Sequence, residues 1–120
     1  MDPEFARLVD DALADVPEEF LEYLENVTLI VEDWASPDLR SSLGLSHFQE
    51  LYGLYQGTPL TLRSFAHAAL PDRILIFRGP LTRDFPEPED LRREVTRTVI
   101  HEIAHHFGIG EERLRELGWG

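Results

Sequence analysis

Two histidines and a glutamate in the last quarter of the sequence have the types and spacing of a metal site. They form the segment His101-Glu102-Ile103-Ala104-His105. Residues four positions apart on an α-helix lie about 6 Å apart along its axis and on one face, so His101 and His105 can direct imidazole nitrogens at one ion. Glu102 is rotated by about 100° around the same helix, which places its carboxylate beside that ion.

This arrangement is suited to peptide-bond hydrolysis. Zinc lowers the pKa of a bound water molecule toward about 7, and a neighbouring carboxylate can remove a proton as the water attacks a polarised carbonyl group. We therefore predict Zn2+ as the cofactor and Glu102 as the catalytic general base. The alternative is an ordinary polar helix end, in which the histidines favour the helix dipole and the glutamate is solvated.

A catalytic zinc site needs a third protein ligand. Gly108 tolerates a positive φ, so the chain can turn sharply after the helix and bring Glu111 back to the ion. The predicted metal ligands are therefore His101, His105 and Glu111. Glu112 is the nearest alternative, although a first-turn position in the last helix would also explain it.

The remaining candidate ligands are weaker. The chain has no cysteine, which excludes thiolate ligands and disulfides. His106 points about 100° away from His105 on a helix and is expected beside the site or exposed. His47 and His67 lie in segments with no clear pattern, where a surface or hydrogen-bonded histidine is more common than a ligand.

The predicted helices and strands follow from the spacing of apolar residues. Residues Pro3 to Ala14 have the repeat of an amphipathic helix, and a second short helix starts at Pro17. Val27 to Val31 and Arg73 to Phe77 are short apolar runs typical of buried strands. The second is expected to be central and to end at the turn signal Gly79-Pro80. Pro88 to Phe107 has the pattern of a long helix.

The other segments are less regular. Ala35 to Gln49 is predicted as a loop with one short helical turn. Leu51 to Gln56 and Leu60 to Phe65 flank a Gly-Thr-Pro segment and suggest a hairpin. Gly108 ends the long helix, and a last short helix covers about Glu111 to Leu117. We predict one domain, residues 1–120, of the α+β class, with helices on a small mixed sheet.

Composition excludes several classes of function. The chain has 120 residues, of which 42% are apolar and 28% charged, as in an ordinary folded domain. Its net charge of −12 repels phosphate groups, so nucleic acid and anionic membranes are not expected as partners. No apolar run approaches the roughly 20 residues that span a bilayer, and the amino terminus lacks the basic region of a secretory signal. A cytoplasmic location is expected.

Four segments resemble a known family, the small bacterial minimal zincin-like metallopeptidases with the motif His-Glu-x-x-His-x-x-Gly-x-x-Asp/Glu. The segments are Gly53 to Leu60, Pro71 to Ile74, Phe77 to Leu81 and His101 to Gly108. The resemblance implies a zincin-like α+β fold, zinc held by the two histidines and an acid after the glycine, and a cytoplasmic location.

The sequence differs from the metzincin pattern at two points. An acid stands where a third histidine is usual, and no methionine follows the site, because Met1 is the only one in the chain. Trp119 or Leu117 could instead supply the apolar floor beneath the metal.

Three functions compete on this basis. The leading hypothesis is a metallopeptidase whose peptide or protein substrate pairs with an edge strand near Gly53 to Leu62. The second is a non-catalytic zinc-binding or protein-interaction module, in which the metal contributes to folding. The third is a metal-dependent endoribonuclease with a His-x-x-x-His helix, which the acidic charge opposes and which has no need for Glu102.

Overall fold

The computed structural model describes residues 3–44, 51–57 and 71–119. The first range contains three α-helices, a 3-10 turn and a strand. They are α1 (Pro3–Ala14), α2 (Glu18–Leu21), the turn Glu22–Leu24, β1 (Val27–Glu32) and α3 (Pro37–Ser42). The other two ranges contain β2 (Gly53–Gln56), β3 (Asp72–Phe77), α4 (Arg78–Asp84), α5 (Pro88–Phe107) and α6 (Glu111–Glu116).

The three strands form one mixed sheet in the order β1-β3-β2. β1 and β3 are parallel, with Val27 opposite Asp72. β2 and β3 are antiparallel, with Gly53 opposite Ile76. The predicted central position of β3 is therefore confirmed. Its four consecutive buried residues, from Ile74 to Phe77, have the continuous apolar pattern of a strand that is covered on both faces.

The long helix α5 packs on one face of this sheet. Val95, Val99 and Ile103 follow one another at four-residue spacing and are fully buried. They join Ile74 and Ile76 of the sheet and the inner face of α1 in one apolar cluster. Each fully buried aliphatic side chain contributes about 1.5–3 kcal/mol, so this stripe fixes the rotation of α5 about its axis. The same packing determines the direction in which the residues at the carboxyl-terminal end of α5 point.

The amino-terminal helix is attached to α5 by polar contacts as well. The buried Thr96 hydroxyl donates a hydrogen bond of 2.8 Å to the carbonyl oxygen of Ala12. On the surface, the Arg92 guanidinium donates to the Asp15 carboxylate at 2.6 Å and holds the pKa of that carboxyl group below its usual value. Helices on a small mixed sheet, with the histidine-bearing helix near the carboxyl terminus, confirm the predicted α+β class.

Of two short helices, α4 differs from the prediction, and α3 agrees with the one helical turn expected in the loop. Gly79-Pro80 was expected only to end a strand, but helix α4 begins at Arg78. Pro80 suits a first helical turn, and the absence of a side chain at Gly79 leaves room for the indole of Trp34 against the backbone. Within the predicted loop, α3 forms after Ser36, whose hydroxyl accepts the Leu39 N–H at 3.1 Å.

Several predicted features lie outside the described residues. These are the second strand of the proposed hairpin, the end of the predicted loop, and both His47 and His67. Within the described ranges, no helix combines the length and apolar character needed to cross a membrane.

Candidate metal centre

The carboxyl-terminal end of α5 displays the two histidines of the motif. Their ring centroids are 6.3 Å apart, as expected one turn apart on a helix. Gly108 then adopts a left-handed conformation with φ of 75°, and Ile109 donates its N–H to the carbonyl oxygen of Ala104 at 2.8 Å. This glycine cap reverses the chain and starts α6 close to the histidines.

The reversal brings Glu111 to the two histidines. One ligand atom from each of His101, His105 and Glu111 can be chosen so that all three lie within 4.8 Å of one another. Ligand atoms around a tetrahedral zinc ion are about 3.4 Å apart, given bonds of about 2.0–2.2 Å. His105 and Glu111 are exposed, so small side-chain rotations can close that difference. Within the described ranges, Glu112 is not part of this group.

Glu102 lies beside the group and is much less accessible. Its side chain is 19% exposed, against 64% for His105. Oε1 accepts a hydrogen bond from the Tyr55 N–H at 3.0 Å, and Oε2 lies 3.8 Å from Nδ1 of His105. Burial raises the pKa of the Glu102 carboxyl group, although the Tyr55 N–H and the charges of His105 and His101 act in the opposite direction. A carboxylate with a raised pKa is a stronger base.

Tyr55 is a site residue to which the sequence assigned no role. Its N–H holds Glu102, its ring stacks on His106 with centroids 3.9 Å apart, and its hydroxyl donates to Asp72 at 2.6 Å. The contact with Glu102 is made by the main chain, which every residue type possesses. The residue type at position 55 therefore could not predict this contact. An antiparallel strand beside the helix could have suggested it, because alternate residues of such a strand turn their N–H groups away from the neighbouring strand.

A groove of about 400 Å³ runs from Glu102 along the upstream face of α5. The segment 51–53, which leads into β2, forms its other wall, and the lining comprises Leu51, Tyr52, Gly53, Glu94, Arg97, Thr98, His101 and Glu102. Gly53 permits the close approach of the two walls. A Cβ atom at that position would lie 2.5 Å from Cγ2 of Thr98 and 3.0 Å from the carbonyl oxygen of Leu75.

The end of the described chain also reaches the site. Nε2 of His101 lies 2.6 Å from the main-chain oxygen of Trp119. Trp119 and Leu117, the two residues predicted as an apolar floor, are partly buried and pack against the main core. Trp119 thus contacts the site through its carbonyl group, which the sequence did not predict.

Comparisons with known proteins give a family and a similar fold. The comparison with curated proteins gives no match. The fold resembles that of a conserved hypothetical protein from T. thermophilus, with a TM-score of 0.55 and 24% identity over 88% of this chain and 92% of the other. The sequence profile of the zincin-like metallopeptidases matches residues 24–119. The chain belongs to the family of zincin-like metallopeptidases.

Proposed function

We propose that this protein is a zinc-dependent metallopeptidase in which His101, His105 and Glu111 hold the metal. The family implies a metal, typically zinc. Imidazole nitrogens with one carboxylate oxygen are a common ligand set of catalytic zinc, and three protein ligands leave one coordination position open. The convergence of these three side chains supports the assignment.

The proposed role of Glu102 is that of general base. Zinc, when bound, supplies a Lewis acid that polarises a peptide carbonyl group and acidifies water. The Tyr55 N–H occupies Oε1 of Glu102, which leaves Oε2 to accept a proton and later to deliver it to the leaving amine. The observation that carries the proposal is this restrained, mostly buried carboxylate next to three convergent ligands.

The proposed substrate is an extended peptide in the groove. Phe77 donates its N–H to the Tyr52 oxygen at 2.9 Å, so the alternation of antiparallel pairing turns the main-chain groups of Gly53 and Tyr55 away from β3. Among the described residues, β2 lies at the edge of the sheet. A peptide strand could pair with Gly53 there and place one carbonyl group near His101 and Glu102.

The first test of this proposal is metal content. Protein purified without added metal or chelator should contain about one zinc per chain by elemental analysis. His101→Ala should lose it, because one imidazole ligand is removed. If neither protein contains metal and added zinc does not raise the melting temperature, the assignment of the metal site is wrong.

The second test separates catalysis from metal binding. Glu102→Gln should retain zinc and lose peptide cleavage in a peptide-library screen, because the amide cannot accept the proton. Glu89→Gln, an exposed first-turn change on the same helix, is the matched control and should cleave normally. Full cleavage by zinc-loaded Glu102→Gln would exclude Glu102 as the base. Zinc binding without cleavage in the wild type would favour the non-catalytic zinc module.

A further inference from the structure

The groove beside the candidate metal centre contains a half-buried glutamate that the proposed reaction does not use. Glu94 lines this groove together with His101 and Glu102. Glu94 precedes His101 by two helical turns, so the two side chains lie on one face of α5 and about 10 Å apart along its axis. In the part of the chain that the structure describes, no hydrogen bond or ion pair occupies the Glu94 carboxylate.

The charge of Glu94 acts on the opposite wall of the groove. Burial and the hydrogen bond to Asp84 are the main causes that raise the pKa of Tyr52 to about 12, and the charge of Glu94 adds to them. Arg97, the basic residue of the lining, is exposed and already has an interaction of its own. Among the described lining residues, Glu94 is therefore the charged group available to a ligand at the upstream end of the groove.

An extended peptide in this groove would run along the axis of α5. Gly53 of β2 lies against Thr98 of the helix. Two residues later on the same strand, Tyr55 donates its N–H to Glu102, one turn further along α5. A peptide that pairs with β2 rises about 3.3 Å per residue, so about three residues cover the distance between the candidate metal centre and Glu94.

We propose that Glu94 is a specificity-determining residue, which binds the side chain of a lysine or arginine about two or three residues from the cleaved bond. The proposal rests on the peptidase function proposed above. Both side chains are long and end in cationic N–H donors, which form charge-assisted hydrogen bonds with a carboxylate. The net charge of −12 also attracts cationic peptides and increases their rate of association.

Peptide binding tests this inference without cleavage. The probes are alanine-based peptides with blocked ends and a single lysine at a varied position, and a matched series with norleucine, which has the same aliphatic chain without the amine. Calorimetry with zinc present, on the Glu102→Gln variant, should show about 10-fold tighter binding of lysine than of norleucine at the favoured position. With Glu94→Gln added to this variant, the two peptides should bind equally.

Two further variants control for the effect of charge. Glu89→Gln removes the same charge from an exposed position at the start of α5 and should keep the preference for lysine. Glu94→Lys should reverse the preference, so that a glutamate peptide binds more tightly than its glutamine counterpart. Equal binding of lysine and norleucine peptides when Glu94 is present, or no binding of either, would overturn the inference. Tighter binding of glutamate peptides by the protein with Glu94 would also overturn it and indicate Arg97 instead.

Cleavage of the same peptides by the wild-type protein separates this inference from the proposed function. Cleavage at a fixed distance from lysine, with the lysine preference lost in Glu94→Gln, would support both. Cleavage without any preference for lysine would overturn this inference and leave the peptidase proposal in place. A lysine preference in binding without any cleavage would overturn the peptidase proposal and leave Glu94 as a residue that binds cationic side chains.

Discussion

The two ends of α5 are built on different principles. From Leu91 to Ala104 the helix buries eight residues against α1 and the sheet. From His105 to Gly108 each residue is exposed, and Phe107 retains 45% of its accessible surface. The upstream stretch thus makes most of the helix's stabilising contacts, and the downstream end is exposed to solvent.

This difference indicates that stability and the proposed metal binding depend on different residues of one helix. The upstream stretch fixes where the helix lies and which way its end faces. The downstream end and the Gly108 turn bring Glu111 close to the two histidines. Changes of the buried residues in the first region should therefore alter the free energy of unfolding, and changes of His101, His105 or Glu111 should alter metal affinity.

The largest effect is expected from Ile100→Ala. Ile100 is fully buried in the main core, and truncation of such a side chain costs about 2–5 kcal/mol in the free energy of unfolding. Urea unfolding of the metal-free protein measures this change. Leu43→Ala, at a position that is 44% exposed, should stay within about 0.5 kcal/mol of the wild type. An equal loss in both variants would contradict the assignment of this stretch to the core.

Glu111→Gln should alter metal binding without altering stability, and Glu112→Gln is its matched control. Both glutamates are exposed, so neither change should alter the stability of the metal-free protein by more than about 0.5 kcal/mol. With zinc at 100 times its Kd, binding should stabilise the wild type and Glu112→Gln by about 2.7 kcal/mol. Glu111→Gln should lose most of this gain, as thermal unfolding with and without zinc would show. The reverse result would make Glu112 the ligand.

The contact between β2 and the upstream stretch of α5 is tested by Gly53→Ala. The added methyl group would overlap Cγ2 of Thr98, and such overpacking costs about 1–3 kcal/mol. Thr98→Ser removes that methyl group while keeping the hydroxyl, which donates to the Glu94 oxygen at 2.7 Å. The double variant should therefore regain part of the stability in chemical denaturation. No recovery would mean that the contact with the Leu75 oxygen sets the cost.

The smallest effect is expected at the rim of the groove. Hydrogen bonds from Arg83 and from the Tyr52 hydroxyl lower the pKa of Asp84 to about 2. Because the folded-state pKa lies below the unfolded value of about 3.9, Asp84 contributes stability above pH 4, and this is lost as the pH falls toward 2. Tyr52→Phe should raise the pKa of Asp84 in a carboxyl NMR titration and reduce the loss in acid. An unchanged pKa would show that Arg83 alone sets it.

Tyr52, at the same rim, contributes stability that is lost at high pH instead of low pH. Burial, followed by the hydrogen bond to Asp84, raises the pKa of Tyr52 to about 12. The folded-state value lies above the unfolded value of about 10, so this contribution is complete below pH 10 and is lost as the pH rises through 12. Tyr52→Phe should remove it, which comparison of unfolding curves at pH 9 and pH 11 would detect.

The sequence predicted those parts of the protein that depend on residue type at a regular spacing. Val95, Val99 and Ile103 repeat at helical intervals and are buried as expected. The continuous apolar run of β3 predicted its central place in the sheet. The spacing from His101 through Gly108 to Glu111 predicted which side chains the fold brings together, because a glycine cap has few geometries.

The features that escaped prediction are main-chain contacts between distant segments. The Tyr55 N–H on Glu102 and the Trp119 oxygen near His101 use atoms that every residue has. Their positions depend on the register of β2 and on the cap at Gly118, neither of which follows from local pattern. Helix α4 was missed because Gly79-Pro80 is a common turn signal, and the nearby Trp34 is recognisable only in three dimensions.

The parallel pairing of β1 with β3 has a consequence for how the chain reaches its native state. Val27 lies opposite Asp72, so the central contact of the sheet joins opposite halves of the sequence. Closing such a long loop costs conformational entropy before the stabilising contacts have formed. Folding rates therefore fall as contacts become less local. The helix that carries the histidines forms from local contacts. Tyr55, whose N–H donates to Glu102 of that helix, reaches its position only when the sheet forms. The contact between Glu102 and Tyr55 should therefore be among the last to form during folding.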